Sequence, residues 1–257
     1  MATKHTPLVI GNWKMNPLSI SAAKDLFYDV RKGIARTRGV DIAVAPPFVF
    51  LPELRPFATG KNMRLAAQDT FFERLGAYTG EVSVPMLKNM GVKYVIVGHS
   101  ERRGLGETDE IVGKKVAAVL REELIVVVCV GENKRDTQGH YLTFVEKQLR
   151  AALKDVSKTK VGNVVIAYEP VWAIGTGKNA TADDAHEMKL FIQKIVSDLY
   201  GRNSLSKMRI IYGGSVSKAN AEELFTNGNI DGFLVGGASL RASEFVEIAK
   251  IASAASK

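Results

Sequence analysis

Short runs of apolar, mostly β-branched residues recur at regular intervals along the chain. They fall at Leu8–Gly11, Val40–Ala45, Arg64–Ala67, Tyr94–Val97, Leu124–Val130, Val164–Tyr168, Arg209–Tyr212 and Gly232–Val235. Within them apolar side chains occupy successive positions rather than every second one, the pattern of strands covered on both faces. Stretches with helical spacing lie between the runs. Leu142, Val145, Leu149 and Leu153 form one apolar stripe, and Met188, Ile192, Ile195 and Leu199 form another. Helix starts are marked too. Thr108 precedes Asp109 and Glu110, and Thr181 precedes Asp183 and Asp184, so a capping hydroxyl is followed by acids at the positive end of the helix dipole.

The pattern amounts to eight strand–helix units in 257 residues, about 32 residues per unit. Strands alternating with helices predict a parallel sheet, and eight repeats in a chain of this length predict an α/β fold with a closed (β/α)8 TIM barrel, one domain over residues 1–257. An open doubly wound sheet has the same alternation, and the third and eighth runs are the weakest members of the count.

Composition narrows the class. Apolar residues make up 46% and charged residues 24%, an ordinary globular mixture that excludes disordered and collagen-like chains. The longest apolar run, Leu124–Val130, is far short of the roughly 18 residues of a membrane helix. Met1 to Pro7 contains no long apolar stretch, so no signal peptide and a cytoplasmic location are expected. The single Cys129 cannot form an internal disulfide. The four histidines, His5, His99, His140 and His186, lack metal-ligand spacing, so no metal is expected. With 35 basic against 27 acidic residues, the net charge of +8 suits an anionic partner. The basic stretches Lys32–Arg38 and Lys154–Lys160 read as helix ends without interleaved aromatics, so nucleic-acid binding is not expected.

In a barrel of this kind the chemistry sits at the carboxyl ends of the strands. The first run is followed by Asn12-Trp13-Lys14, the fourth by Gly98-His99-Ser100-Glu101-Arg102 and the sixth by Glu169-Pro170. The seventh leads into Gly213-Gly214-Ser215 and the eighth into Gly236-Gly237. Proton-transfer and hydrogen-bonding groups therefore come from three strands, and glycines whose bare N–H groups can surround a phosphate come from two. Taken singly, each has a structural reading: a salt-bridged Glu169, a hydrogen-bonded His99, a solvated Lys14, a turn-forming Asn12, ligand-free glycine turns. Their convergence on one rim favours a site. Gly175-Thr176-Gly177-Lys178-Asn179-Ala180 matches a loose dinucleotide pattern, but it begins seven residues after Tyr168 instead of directly after a strand. Pro170 to Thr181, with Trp172 and Ile174 as apolar covers, reads better as a lid over a small ligand.

Five ordered strings carry a resemblance. Gly11-Asn12-Trp13-Lys14-Met15-Asn16, Val97-Gly98-His99-Ser100-Glu101-Arg102-Arg103, Ala167-Tyr168-Glu169-Pro170-Val171-Trp172-Ala173-Ile174-Gly175-Thr176-Gly177, Tyr212-Gly213-Gly214-Ser215-Val216 and Leu234-Val235-Gly236-Gly237-Ala238-Ser239-Leu240 resemble the triosephosphate isomerases, from about residue 8 to about residue 250. The resemblance implies a cofactor-independent interconversion of dihydroxyacetone phosphate and glyceraldehyde 3-phosphate, and the family is itself the type case of a tuned Glu/His pair. It implies Glu169 as general base, His99 as a neutral imidazole acting on the substrate oxygens, Lys14 as the enediolate stabiliser and Asn12 as a hydrogen-bond donor. Glu101 would support Lys14, and Gly175, Ser215, Gly236 and Gly237 would hold the phosphate, toward which the positive charge would steer a dianion.

The resemblance also implies a homodimer, in which Met15 lies at the interface and the segment Gln68 to Glu81 enters the partner, bringing Thr79 near the neighbour's Asn12 and His99. The segment Arg103-Gly104-Leu105-Gly106-Glu107 is one residue shorter than usual for the family, which leaves the family's ion pair between Arg102 and Glu107 open. Two other readings compete: a phosphate-binding barrel aldolase using Lys14 as a Schiff base, and a basic scaffold.

Overall fold

Strand β1 (Leu8–Asn12) pairs with β2 (Asp41–Ala45) on one side and with β8 (Gly232–Val235) on the other, closing a barrel. Between them β3 (Arg64–Ala67), β4 (Val92–Val97), β5 (Ile125–Val130), β6 (Val164–Tyr168) and β7 (Arg209–Tyr212) follow in chain order, every pair parallel. The computed structural model describes residues 5–58, 63–173 and 180–255. The helices among these are α1 (Ile20–Gly33), the short α2 (Leu51–Leu54), α3 (Val84–Asn89), α4 (Ser100–Gly104), α5 (Asp109–Arg121), α6 (His140–Leu153), α7 (Ala182–Tyr200), α8 (Ala221–Thr226) and α9 (Ala242–Ala255). None is long and apolar enough to cross a membrane.

The continuous apolar runs have a simple cause. Successive strand side chains point alternately into the barrel and out toward the helices, and both directions are dry. Leu8 and Ile10 belong to the inner core with Ala43, Ala66, Ile96, Val127, Cys129 and Ile211. Val9, Val44, Val95 and Val128 belong to the outer core with helix residues such as Phe27, Val116, Leu149 and Ile192. Small alanines on β2, β3 and β6 offset larger side chains such as Tyr94 and Ile211, so the interior is filled rather than hollow.

The helix starts are as the sequence predicts. Thr108 accepts the Ile111 N–H at 3.3 Å, and Thr181 forms a reciprocal capping box with Asp184. The strand ends agree within two residues. The largest shift is β4, which begins at Val92 because the exposed Lys93 interrupts its apolar run without ending the strand. Leu199 is the one stripe residue that departs from expectation. It is 37% exposed at the last turn of α7, where burial passes to Tyr200, whose hydroxyl donates to the Leu153 carbonyl at 2.9 Å.

Candidate active site

Asn12, His99 and Glu169 all lie at carboxyl ends of barrel strands and all are buried. Asn12 ends β1, and its Oδ1 accepts the Lys14 backbone N–H at 3.1 Å. That bond folds the chain back on itself and leaves Lys14 in the left-handed region, at φ 54°, a costly conformation for a residue with a Cβ. The Gln68 amide holds this turn from outside, donating to the Lys14 carbonyl at 2.7 Å and to the Ala45 carbonyl at 2.8 Å. Lys14 Nζ meets Glu101 Oε1 at 2.6 Å.

His99 is the N-cap of α4, and its Nδ1 accepts the Glu101 N–H at 3.2 Å. With Nδ1 as acceptor, a neutral ring would carry its hydrogen on Nε2. Nε2 lies 3.0 Å from Glu169 Oε1, close in distance although without the alignment of a hydrogen bond. The other oxygen, Glu169 Oε2, accepts the Ser100 N–H at the start of α4, at 2.8 Å. Glu169 is only 1% exposed. Its main chain is wedged against β5, where the Glu169 N–H donates to the Val130 carbonyl at 2.8 Å. A Cβ at Gly131 would fall 1.7 Å from the Glu169 carbonyl oxygen.

A cavity of about 460 Å³ opens between Asn12, Lys14 and His99 on one wall and the glycine turns on the other. Gly214, Ser215, Gly236 and Gly237 all border it, so the predicted anion cradle and the cationic Lys14 face one space. Gly214 is obligatory there, because a Cβ would sit 2.2 Å from the Tyr212 hydroxyl. Gly175 and half of the expected lid, residues 174–179, lie outside the described residues. Glu169 differs from expectation in one respect. It borders a neighbouring cleft between α4 and α6 instead of this cavity, because the Ser100 N–H holds its carboxylate to that side.

Several supporting residues carry no motif. Lys115 is buried and pairs with Asp69 at 2.6 Å and, more closely still, with Glu107. Glu107 Oε2 also accepts the Gly98 N–H at 3.0 Å, one residue before His99. Arg102 is directed mainly to Asp69, at 3.0 Å, and stands 3.9 Å from Glu107, so the principal cation of Glu107 is Lys115. Burial pushes the Asp69 carboxyl above its ordinary value despite Lys115. Only an acid–base pattern spread over three elements identifies this cluster, and no local spacing signals it.

Fold and site together define an α/β barrel with a carboxylate and an imidazole 3.0 Å apart beside a cavity walled by glycine turns and Lys14. Residues 7–252 match the family model described as triosephosphate isomerase. A triosephosphate isomerase of Thermoanaerobacter pseudethanolicus is 49% identical over 247 residues, covering 94% of this chain and 98% of the relative. Those of Moorella thermoacetica and Lactiplantibacillus plantarum are 47% and 44% identical, each over 97% of the relative and 94% and 95% of this chain. The chain belongs to the triosephosphate isomerase family.

Proposed function

We propose that the protein interconverts dihydroxyacetone phosphate and D-glyceraldehyde 3-phosphate, moving a proton between adjacent carbons through an enediolate. The carrying observation is the approach of Glu169 and His99, 3.0 Å apart on different strands, beside a cavity walled by glycine turns and Lys14. Glu169 takes the proton from one carbon and returns it to the next. To do so its carboxylate rotates from the Ser100 N–H toward the cavity. The Nε2–H of neutral His99 donates to the substrate oxygens, and Asn12 adds a second donor. The Lys14 ammonium, held by Glu101, offsets the charge that develops on the enediolate. Gly175, Ser215, Gly236 and Gly237 hold the phosphate through backbone N–H groups.

The test is isomerisation of glyceraldehyde 3-phosphate in deuterium oxide. Conversion is expected without added cofactor, with solvent deuterium appearing on the product carbon. Borohydride reduction with dihydroxyacetone phosphate present is expected to leave the protein mass unchanged. No conversion, together with a borohydride-trapped adduct, overturns the isomerase in favour of the aldolase. A methyl group at Gly131 would collide with the Glu169 main chain, so Gly131→Ala is expected to lower kcat/KM by about 10²-fold, the cost of displacing a catalytic group by about 1 Å.

A homodimer and a cytoplasmic location belong to the same proposal. Met15, Leu18, Leu75 and Leu105 are more than four-fifths exposed in the single chain, an apolar display that calls for a partner surface. In the segment from Gln68 to Glu81, Phe71 stacks on Phe72 at 4.3 Å and packs against Tyr78 at 4.7 Å, and Thr79 stands exposed beside them. Specific activity is expected to fall as the protein is diluted through dimer dissociation. Full activity in a sample shown by sedimentation to be monomeric would sink this reading.

A further inference from the structure

The loop after β5 places one guanidinium against both ends of the connection that joins β6 to α7. Arg135 Nε donates to Glu132 Oε1 at 3.0 Å, and its Nη2 donates to the Tyr168 hydroxyl at 3.1 Å. The same Glu132 oxygen accepts from the Tyr168 hydroxyl at 2.9 Å and from Trp172 Nε1 at 2.8 Å. The guanidinium also lies 5.6 Å from the centre of the Trp172 ring. These contacts hold the near end, the turn Val171–Ala173 that directly follows Glu169 and Pro170. At the far end Arg135 Nη1 donates to Asp184 Oδ1 at 2.7 Å and to Glu187 Oε2 at 2.9 Å. Asp184 uses its other oxygen to accept the Thr181 N–H at 2.8 Å, closing the capping box of α7.

We propose that Arg135 is a positioning residue that sets the two ends of the β6–α7 connection relative to each other, and through the near end, whose Ala173 carbonyl accepts from the cavity residue Ser215 at 3.4 Å, the fit of the phosphate-bearing substrate. The proposal rests on the isomerase reading of the neighbouring cavity. Arginine suits the task. Its planar fork serves carboxylates in two directions at once and still presents a face to an aromatic ring, which a point-charge ammonium cannot do. Glu132 gives the arrangement its leverage. It is 1% exposed, and among the described residues its second oxygen has no hydrogen-bond partner and Arg135 is the cation paired with it. Without Arg135 a buried carboxylate would rest on two neutral donors, and the Trp172 anchor would shift with it.

The experiment compares Arg135→Met, which keeps an unbranched apolar side chain, and Arg135→Lys with the unmodified protein. The substrates are glyceraldehyde 3-phosphate and unphosphorylated glyceraldehyde, and the protein carries 5-fluorotryptophan. Arg135→Met is expected to lower kcat/KM on the phosphorylated substrate by about 10- to 100-fold while changing the slow reaction of glyceraldehyde far less. Arg135→Lys is expected to recover only part of the loss. The fluorine resonance of Trp172, assigned with Trp172→Phe, is expected to move in both variants while that of the buried Trp13 stays in place. Equal losses on both substrates, or an unmoved Trp172 resonance, would overturn the proposal. Should Arg135→Met fail to fold, Arg135→Lys decides on the same two readouts. Absence of isomerase activity in the unmodified protein would overturn the functional reading instead, and the fluorine shift alone would then decide the role of Arg135.

Discussion

Replacing Glu169 with aspartate is expected to lower kcat by about 10²- to 10⁴-fold, the range over which a positioned general base contributes. The substitution keeps the charge and withdraws the carboxylate by one methylene, so it tests geometry rather than electrostatics. At the end of β6 the main chain is fixed by the Glu169 N–H bond to Val130 and by its close approach to Gly131, and it cannot advance to compensate. Glu169→Gln tests the complementary property, because the amide keeps the length but cannot accept the proton. KM is expected to change much less than kcat in both, since the glycine turns and Lys14 that face the cavity are untouched. Folding is expected to survive. The wild-type side chain is buried, and among the described residues one of its oxygens is aligned to no donor, so an amide of the same size removes no hydrogen bond there. Thermal unfolding and circular dichroism check the fold, and steady-state kinetics in both directions check the rate. An aspartate variant turning over at the unmodified rate would remove Glu169 from the role of base.

Lys115→Met is expected to destabilise the protein by about 3–5 kcal/mol at neutral pH, because it removes the buried cation that Asp69 and Glu107 share and leaves the two carboxylates with only the exposed Arg102 beside them. Lys115, Asp69 and Glu107 are all buried, so water replaces the ammonium poorly. Against a typical total stability of about 5–15 kcal/mol, such a loss is large. Its pH dependence follows from the direction in which Asp69 is shifted. Burial raises the Asp69 carboxyl above its ordinary value of 3.8 even with Lys115 in place, and removing the cation pushes it further in the same direction. An acid raised in the folded state penalises folding above its folded-state pKa and ceases to do so once protonated. The stability gap between variant and unmodified protein is therefore expected to narrow as the pH falls through the acid range. Adding Asp69→Asn to Lys115→Met is expected to recover part of the loss at neutral pH. Denaturant unfolding at pH 7 and pH 4.5 measures all three. A gap that stays constant with pH would show the cost to be one of packing instead of unpaired charge. Because Glu107 also receives the Gly98 N–H, the same variant is expected to reduce activity through the backbone that carries His99.

The barrel and most of the candidate rim are legible in local pattern, and the reason is physical. A parallel barrel strand is dry on both faces, so its apolar run is continuous and its ends show as the first polar residues. That is why Asn12, His99 and Glu169 stood out at the ends of the first, fourth and sixth runs, and why the glycine turns after the seventh and eighth could be matched to an anion. Capping at Thr108 and Thr181 is likewise a matter of neighbouring residues. Where a charged side chain sits within a strand, as Lys93 does, the apolar run starts two residues after the strand does.

Tertiary structure decided what depends on residues far apart in the chain. Lys115 meets Asp69 across 46 positions, and Arg135 reaches Asp184 across 49, and no periodicity predicts either contact. Gln68, supporting the Lys14 turn from 54 positions away, is equally silent in the sequence. The resting place of Glu169 belongs to this class as well. The sequence identifies the carboxylate, but only the approach of the α4 N-terminus to the end of β6 determines that it is held by the Ser100 N–H, beside the cavity rather than within it. Patterning specifies which side chains leave water and where strands end, because those are local choices of solvation. It does not specify which buried charges find one another, because that depends on how the closed barrel brings its loops together.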